Sequence, residues 1–141
     1  MTAMPVDVSD PNPWTVHFSR IERIRQEVPG IATYELAFED EEFSRDYSFL
    51  PGQFNMMYLP GYGEAAISIS SNPAQRGTLA HTVRVVGNVT RALTRLQVGD
   101  QIGLRGPFGT CWPMRECRDM DMVIATGGVG LAPLRPAIYH I

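Results

Sequence analysis

Apolar and polar side chains alternate along most of the first hundred residues, the period of half-buried β-strands. Val16, Phe18, Ile21 and Ile24, then Ile31, Thr33, Tyr34, Leu36 and Phe38, predict two strands joined at Pro29-Gly30. After a turn at Pro51-Gly52, Gln53 to Leu59 predicts a third. Pro60-Gly61-Tyr62-Gly63 turns the chain into a fourth, Ala66 to Ser70, which ends at Asn72-Pro73. His81 to Val86 and Gln101 to Arg105 predict a fifth and a sixth. Between them Thr90 to Leu96 reads as a short helix, with Leu93 and Leu96 on one face and Val98-Gly99-Asp100 as its stop. Six short strands at close spacing predict a mainly β fold, a small antiparallel barrel with one short helix inserted before its last strand.

The pattern changes after Asp121. Met122-Val123-Ile124-Ala125 is a continuous apolar run, as in a strand buried on both faces of a parallel sheet. Thr126-Gly127-Gly128-Val129-Gly130 follows, and Leu131, Leu134, Ile138 and Ile141 recur at helical intervals. Strand, glycine turn and helix in this order form the first β-α unit of a Rossmann-like nucleotide domain. One strand and one helix cannot bury their own faces, so the unit is expected to be an incomplete start or to pack on something else.

The 141 residues, 44% hydrophobic and 19% charged, suffice for one domain with a real core. A net charge of -3 gives no reason to expect a nucleic-acid partner. All twelve basic residues are Arg. No apolar run approaches the roughly 20 residues that span a bilayer, so no membrane insertion is expected. Residues 1–13, with three prolines and no signal-peptide pattern, read as a flexible leader, and the protein as cytoplasmic. Residues 39–46 read as a solvated acidic loop. Cys111 and Cys117, with five residues between them, match neither a redox pair nor a zinc knuckle and read as free thiols in or near a core. His17, His81 and His140 are scattered and read as structural or surface residues.

Three stretches carry candidate chemistry. Gly128 and Gly130 permit a tight turn and close approach of a phosphate, with Pro133 in the first helical turn and the helix start favouring an anion. At Gly87-Asn88-Val89-Thr90 a strand feeds a glycine and a short helix, with Thr90 as its N-cap, which is either a second anion cradle or an ordinary capped helix. Ile67-Ser68-Ile69-Ser70 sets apolar side chains on one face and small hydroxyls on the other, which suits either a flat heteroaromatic ring or a plain barrel strand.

The order of these pieces is more specific than any one of them. Pro51-Gly52-Gln53-Phe54, Ile67-Ser68-Ile69-Ser70-Ser71, Gly87-Asn88-Val89-Thr90 with Leu93, Gly106-Pro107-Phe108-Gly109 and Gly127 to Arg135 together resemble the ferredoxin–NADP reductase superfamily. The wording from Gly63 to Ser71 is similar to one branch. It holds the electron-transfer gamma subunits of NAD(P)-linked hydrogenases (sulfhydrogenases) and the B subunit of anaerobic sulfite reductase, with the electron-transfer subunit of dihydroorotate dehydrogenase as a cousin.

The resemblance implies an FAD-binding barrel over residues 14–118 and an incomplete start of an NAD(P)-binding domain over 119–141. It places Ile67 against the isoalloxazine, Ser68 near flavin N5, and Gly87, Asn88, Val89 and Thr90 around the pyrophosphate. Gly128 and Gly130 would begin the NAD(P) site. Relatives usually carry a phosphate-binding Arg two residues before the ring-stacking position; here that position is Ala65, so Arg84 or Arg91 is expected to supply the charge. Relatives in the branch also carry a complete nucleotide domain and a cysteine cluster binding [2Fe–2S], neither expected in these 141 residues. The implied function is an electron-transfer oxidoreductase module partnered by other subunits of a hydrogenase or sulfite-reductase-like complex. The alternative is a non-catalytic barrel serving as a docking or assembly piece.

Overall fold

The computed structural model describes residues 12–141. The expected leader lies almost wholly outside the described residues. Six strands form one antiparallel sheet in the order β4-β3-β6-β1-β2-β5. They are β1 (His17–Val28), β2 (Ile31–Phe38), β3 (Phe54–Leu59), β4 (Gly63–Ser68), β5 (Leu79–Arg84) and β6 (Gln101–Phe108). The β1–β2 and β3–β4 pairs are hairpins, as the Pro-Gly turns predict. The sheet curls until its two edges meet, but they are joined by a single antiparallel bridge, Ile69 to His81, and not by a full ladder. The Ser70 amide reinforces this seam by donating to the Ala80 carbonyl at 2.8 Å.

Inward-facing residues make one core. Ile21, Leu36, Met57, Ile69, Val83, Ile102 and Leu104 are almost wholly enclosed. Helix α2 (Asn88–Leu93) adds Val89, Ala92 and Leu93 to it. Burying one such aliphatic side chain stabilises by about 2 kcal/mol, and the strands hold register because a one-residue slip would turn this set to solvent.

The structure departs from the sequence expectations at several places. The acidic stretch is not a loop but helix α1 (Glu41–Asp46). The Asp40 side chain caps it by accepting from the amides of Glu42 and Phe43, and Glu41 and Glu42 sit where the helix dipole favours negative charge. Phe43 anchors it by stacking on His17 and meeting Phe38 edge-on. Second, β4 begins at Gly63, because the tight turn closed by Tyr62 N–H to the Leu59 carbonyl brings Gly63 opposite Leu59. Third, β5 spans 79–84 and not 81–86, because the amides of Val86 and Gly87 are taken by the Thr90 hydroxyl.

Fourth, Met122 to Ala125 form no strand, and Val123 is 94% exposed. A parallel strand needs a neighbour, and among the described residues every strand of the sheet is paired on both sides or turned into the seam. Fifth, the predicted helix over 131–141 runs as a 3-10 helix through Gly128–Leu134 and becomes α3 only at Arg135–His140. Pro133 and Pro136 lack the amides that an earlier α start would use. The cysteines are free but not in the core, since Cys111 is exposed and Cys117 half-buried.

Candidate functional site

The candidate residues gather around the end of β4, the end of β5 and the start of α2. Along β4 the side chains alternate as expected. Ala65 and Ile67 pack against the core, opposite Met57 and Asn55 of β3. Ile67 and Ser68 are half-buried, whereas Ile69 and Ser70 are fully enclosed. Ser70 donates its hydroxyl to the Ala80 carbonyl and lies 3.1 Å from the Thr82 hydroxyl, so it is committed to the seam. Of the four, Ile67 and Ser68 remain accessible.

Helix α2 is capped at Gly87, not at Thr90. Gly87 is the N-cap and Thr90 the third helical residue, whose hydroxyl reaches back to accept from the amides of Val86 at 3.0 Å and Gly87 at 2.8 Å. A glycine cap has no side chain to satisfy the first-turn amides. Gly87 is not required by its backbone, which is extended, nor by crowding, since a Cβ there would meet nothing nearer than the Thr90 hydroxyl at 4.0 Å. Open approach to the helix start is the property that its missing side chain provides. Asn88 is exposed and reaches back to the Tyr62 carbonyl at 3.4 Å, while Val89 is buried beside Gly63 of β4. The helix start is thereby fixed against the β3–β4 hairpin.

Charge is distributed in a way the sequence did not reveal. Glu64, beside Ala65, is held by Arg105 of β6 through two contacts, 2.6 and 3.1 Å, and Arg105 also donates to the Pro13 carbonyl. Its guanidinium lies 5.0 Å from the Trp14 ring and 5.6 Å from that of Phe108. The negative charge of Glu64 is therefore matched, and three of the five N–H donors of Arg105 are committed to Glu64 and Pro13. Arg84 and Arg91 are exposed and make no side-chain hydrogen bond or ion pair among the described residues. Because Ala65 faces the core, an arginine there would have to repack it. Residues 41 apart carry no local signal, so the Arg105–Glu64 pair was invisible to motif reading.

Of the two readings given for His81, structural or surface, the structure shows the structural one. His81 is completely buried on the core face of β5, between Leu79 and Val83. Its Nδ1 lies 3.1 Å from the Ser68 carbonyl and its Nε2 3.3 Å from Asn55 Nδ2. The Tyr47 hydroxyl donates to Asn55 Oδ1 at 2.8 Å. Burial pushes the imidazole down to about 4, against the opposing pull of the Ser68 and Ile67 carbonyls, so it is neutral at pH 7. Burial likewise pushes the Tyr47 phenol up.

Gly128 and Gly130 lie apart from this group, in the 3-10 helix that packs near β5. Gly128 has φ +56, a conformation that favours glycine, and a Cβ on Gly130 would press on the Thr126 hydroxyl at 2.9 Å. The segment is pinned by Trp112, whose indole N–H donates to the Pro133 carbonyl at 3.0 Å. Among the described residues, no helix is long and apolar enough to cross a membrane.

Comparison with known families decides what this barrel is. The model of the oxidoreductase FAD-binding domain matches residues 21–112, from β1 through β6. The chain belongs to that family. Curated relatives of this FAD-binding domain include the sulfhydrogenase 1 gamma subunit of Pyrococcus furiosus, 34% identical over 97% of the chain and 48% of the relative. A probable dihydroorotate dehydrogenase B (NAD(+)) electron transfer subunit of Methanocella arvoryzae is 36% identical over 82% of the chain and 40% of the relative. The chain thus spans less than half the length of either. Among solved structures, the Amycolatopsis cytochrome P450 reductase GcoB shares the fold, with TM-score 0.74 and 22% identity over 89% of this chain and 38% of that one. The resemblance read from the sequence is borne out, both in the FAD-binding oxidoreductase domain and in the sulfhydrogenase gamma and dihydroorotate dehydrogenase subunits among its relatives. The residues present suit FAD: an open glycine-capped helix start, Arg84 and Arg91 nearby in sequence with no side-chain partner among the described residues, and a half-buried Ile-Ser wall.

Proposed function

We propose that this domain is the flavin module of an NAD(P)H-linked electron-transfer subunit. The observation that carries the reading is the family match across all six strands, and the local geometry supports it. Bound FAD would supply the step between two-electron exchange with a nicotinamide and one-electron transfer to an iron–sulfur partner. The chain's part is to bind and orient. Ile67 offers an apolar wall and Ser68 a hydroxyl for the ring edge, while Ile69 and Ser70 hold that strand from behind. Gly87, Asn88, Val89 and Thr90 present the helix start to the pyrophosphate, and Arg84 or Arg91 supplies the positive charge that Ala65 lacks. Hydride and electron transfer need no acid–base residue from the protein.

On this reading residues 14–118 are the FAD-binding barrel and 119–141 open an NAD(P)-binding domain, with Gly128 and Gly130 at its phosphate turn. The partners are other subunits of a hydrogenase or sulfite-reductase-like complex, as the gamma-subunit likeness suggests. A cytoplasmic setting fits two unpaired thiols, one of them exposed.

The test is the visible absorption spectrum of the purified chain before and after incubation with FAD and desalting. A retained flavin spectrum supports the module. A chain that stays colourless rejects it and favours the non-catalytic docking piece. Thr90→Asp places a carboxylate at the helix start and is expected to lower the retained flavin at least tenfold; unchanged retention would reject this placement of the pyrophosphate.

A further inference from the structure

We propose that His81 is a positioning residue for the flavin-facing strand, holding Ser68 in place through a one-directional chain of hydrogen bonds that begins at Tyr47. The proposal rests on the flavin reading above, because it concerns the strand assigned there to the ring.

The direction of the chain follows from its ends. The Ser68 carbonyl can only accept, so His81 Nδ1 carries the proton. Nε2 is then the acceptor and takes an N–H from Asn55 Nδ2. Asn55 Oδ1 is left to accept, and the Tyr47 hydroxyl donates to it. Every member has a partner, and no buried side-chain polar atom among the described residues lacks one. A connected network of this kind favours a single arrangement.

The placement is not what packing alone would choose. His81 alternates with Leu79 and Val83, and an aliphatic residue would fill the same core position without a polar group to satisfy. The imidazole instead meets the strand at one place. Ser68 is the last residue of β4, paired with Phe54 at the end of the β3–β4 ladder. Beyond it Ile69 is tied to β5 by one bridge, to His81 itself. The Ile69 amide still donates to the Gln53 carbonyl at 3.1 Å, and the imidazole adds its own contact at Ser68, the residue proposed to face the ring edge. Asn55 is fixed in turn, because its Oδ1 occupies the space where a Cβ on Gly106 would lie.

The experiment uses the 141-residue chain and the variants His81→Leu, His81→Asn and Tyr47→Phe. An asparagine amide can replace the Nδ1 donor, so it is the rescue; leucine cannot. Two readouts are taken. One is amide hydrogen exchange of the peptide covering 63–70 without flavin. The other is FAD affinity, with the shoulder structure of the bound flavin's visible band. His81→Leu is expected to speed exchange in that peptide about tenfold and to weaken FAD about tenfold, the size that follows when a buried carbonyl loses its donor. It should also blur the band. His81→Asn should restore most of each, and Tyr47→Phe should give a smaller change in the same direction. Wild-type FAD uptake, with exchange, affinity and band shape unaltered in folded His81→Leu, overturns the assignment of His81. The same holds if asparagine rescues no better than leucine. A wild-type chain that takes up no FAD instead overturns the flavin reading on which the proposal stands.

Discussion

Replacing Arg105 by methionine, which keeps the aliphatic stem and removes the guanidinium, tests the charge arrangement behind β4. Arg105 is 8% exposed and makes three hydrogen bonds, two to Glu64 and one to the Pro13 carbonyl. Removing one partner of a buried ion pair costs about 3–5 kcal/mol when the survivor is trapped without water. Glu64 is not trapped, since its side chain is 34% exposed and partly rehydrates, and solvent screening scales the cost down. The expected loss is about 2–3 kcal/mol. With a urea slope of about 2 kcal/mol per molar, the unfolding midpoint falls by about 1–1.5 M. Far-ultraviolet circular dichroism follows the transition. A double-mutant cycle with Glu64→Gln isolates the pair, with a coupling of about 1–2 kcal/mol expected. Arg105→Lys should recover little, because an ammonium cannot make the two-pronged contact. An Arg105→Met midpoint within about 0.2 M of wild type, or an additive cycle, would refute the claim that this pair is a structural anchor.

Three further outcomes are expected. His81 titrates near 6.5 when unfolded and at about 4 when folded, so its burial favours folding above pH 6.5. That contribution is lost as pH falls from 6.5 toward 4; the stability difference between wild type and His81→Asn should therefore shrink by about 3 kcal/mol between pH 7 and pH 4, measured by urea unfolding at each pH. Gly106→Ala drives a Cβ to 2.3 Å from Asn55 Oδ1 at φ +140, whereas Gly61→Ala, at φ +81, meets nothing within 4 Å. Thermal unfolding should show Gly106→Ala costing at least about 3 kcal/mol and Gly61→Ala about 1. Thr90→Val removes the acceptor for two amides and should cost about 1–2 kcal/mol in the same assay.

Six strands and the inserted helix were legible because their signals are local: alternation fixes a strand, and Pro-Gly fixes a turn. The helix at Glu41–Asp46 was equally legible and was overlooked, since Asp40 followed by two glutamates is a start signal that a run of charge disguised. The strand expected at Met122 to Ala125 illustrates the opposite failure. Its apolar run is a request for neighbours, and a strand exists only where neighbours answer. Within the candidate site, the backbone pieces at Gly87 and Ser68 could be read from order and spacing. Their supports could not, because Arg105 meets Glu64 across 41 residues and His81 meets Asn55 across 26. Such contacts are set by sheet order, which no single stretch of sequence encodes.

The seam between β4 and β5 has a mechanical consequence. Five junctions of the sheet are ladders, while the sixth rests on one bridge, the Ser70 amide and a few side-chain contacts. A cylinder fastened unevenly parts at its thinnest join, so heat or a protease should separate β4 from β5 while the other junctions still hold. A ligand lying across that join would act as a clasp. Its grip would appear as delayed parting of these two strands before any change in the rest of the barrel.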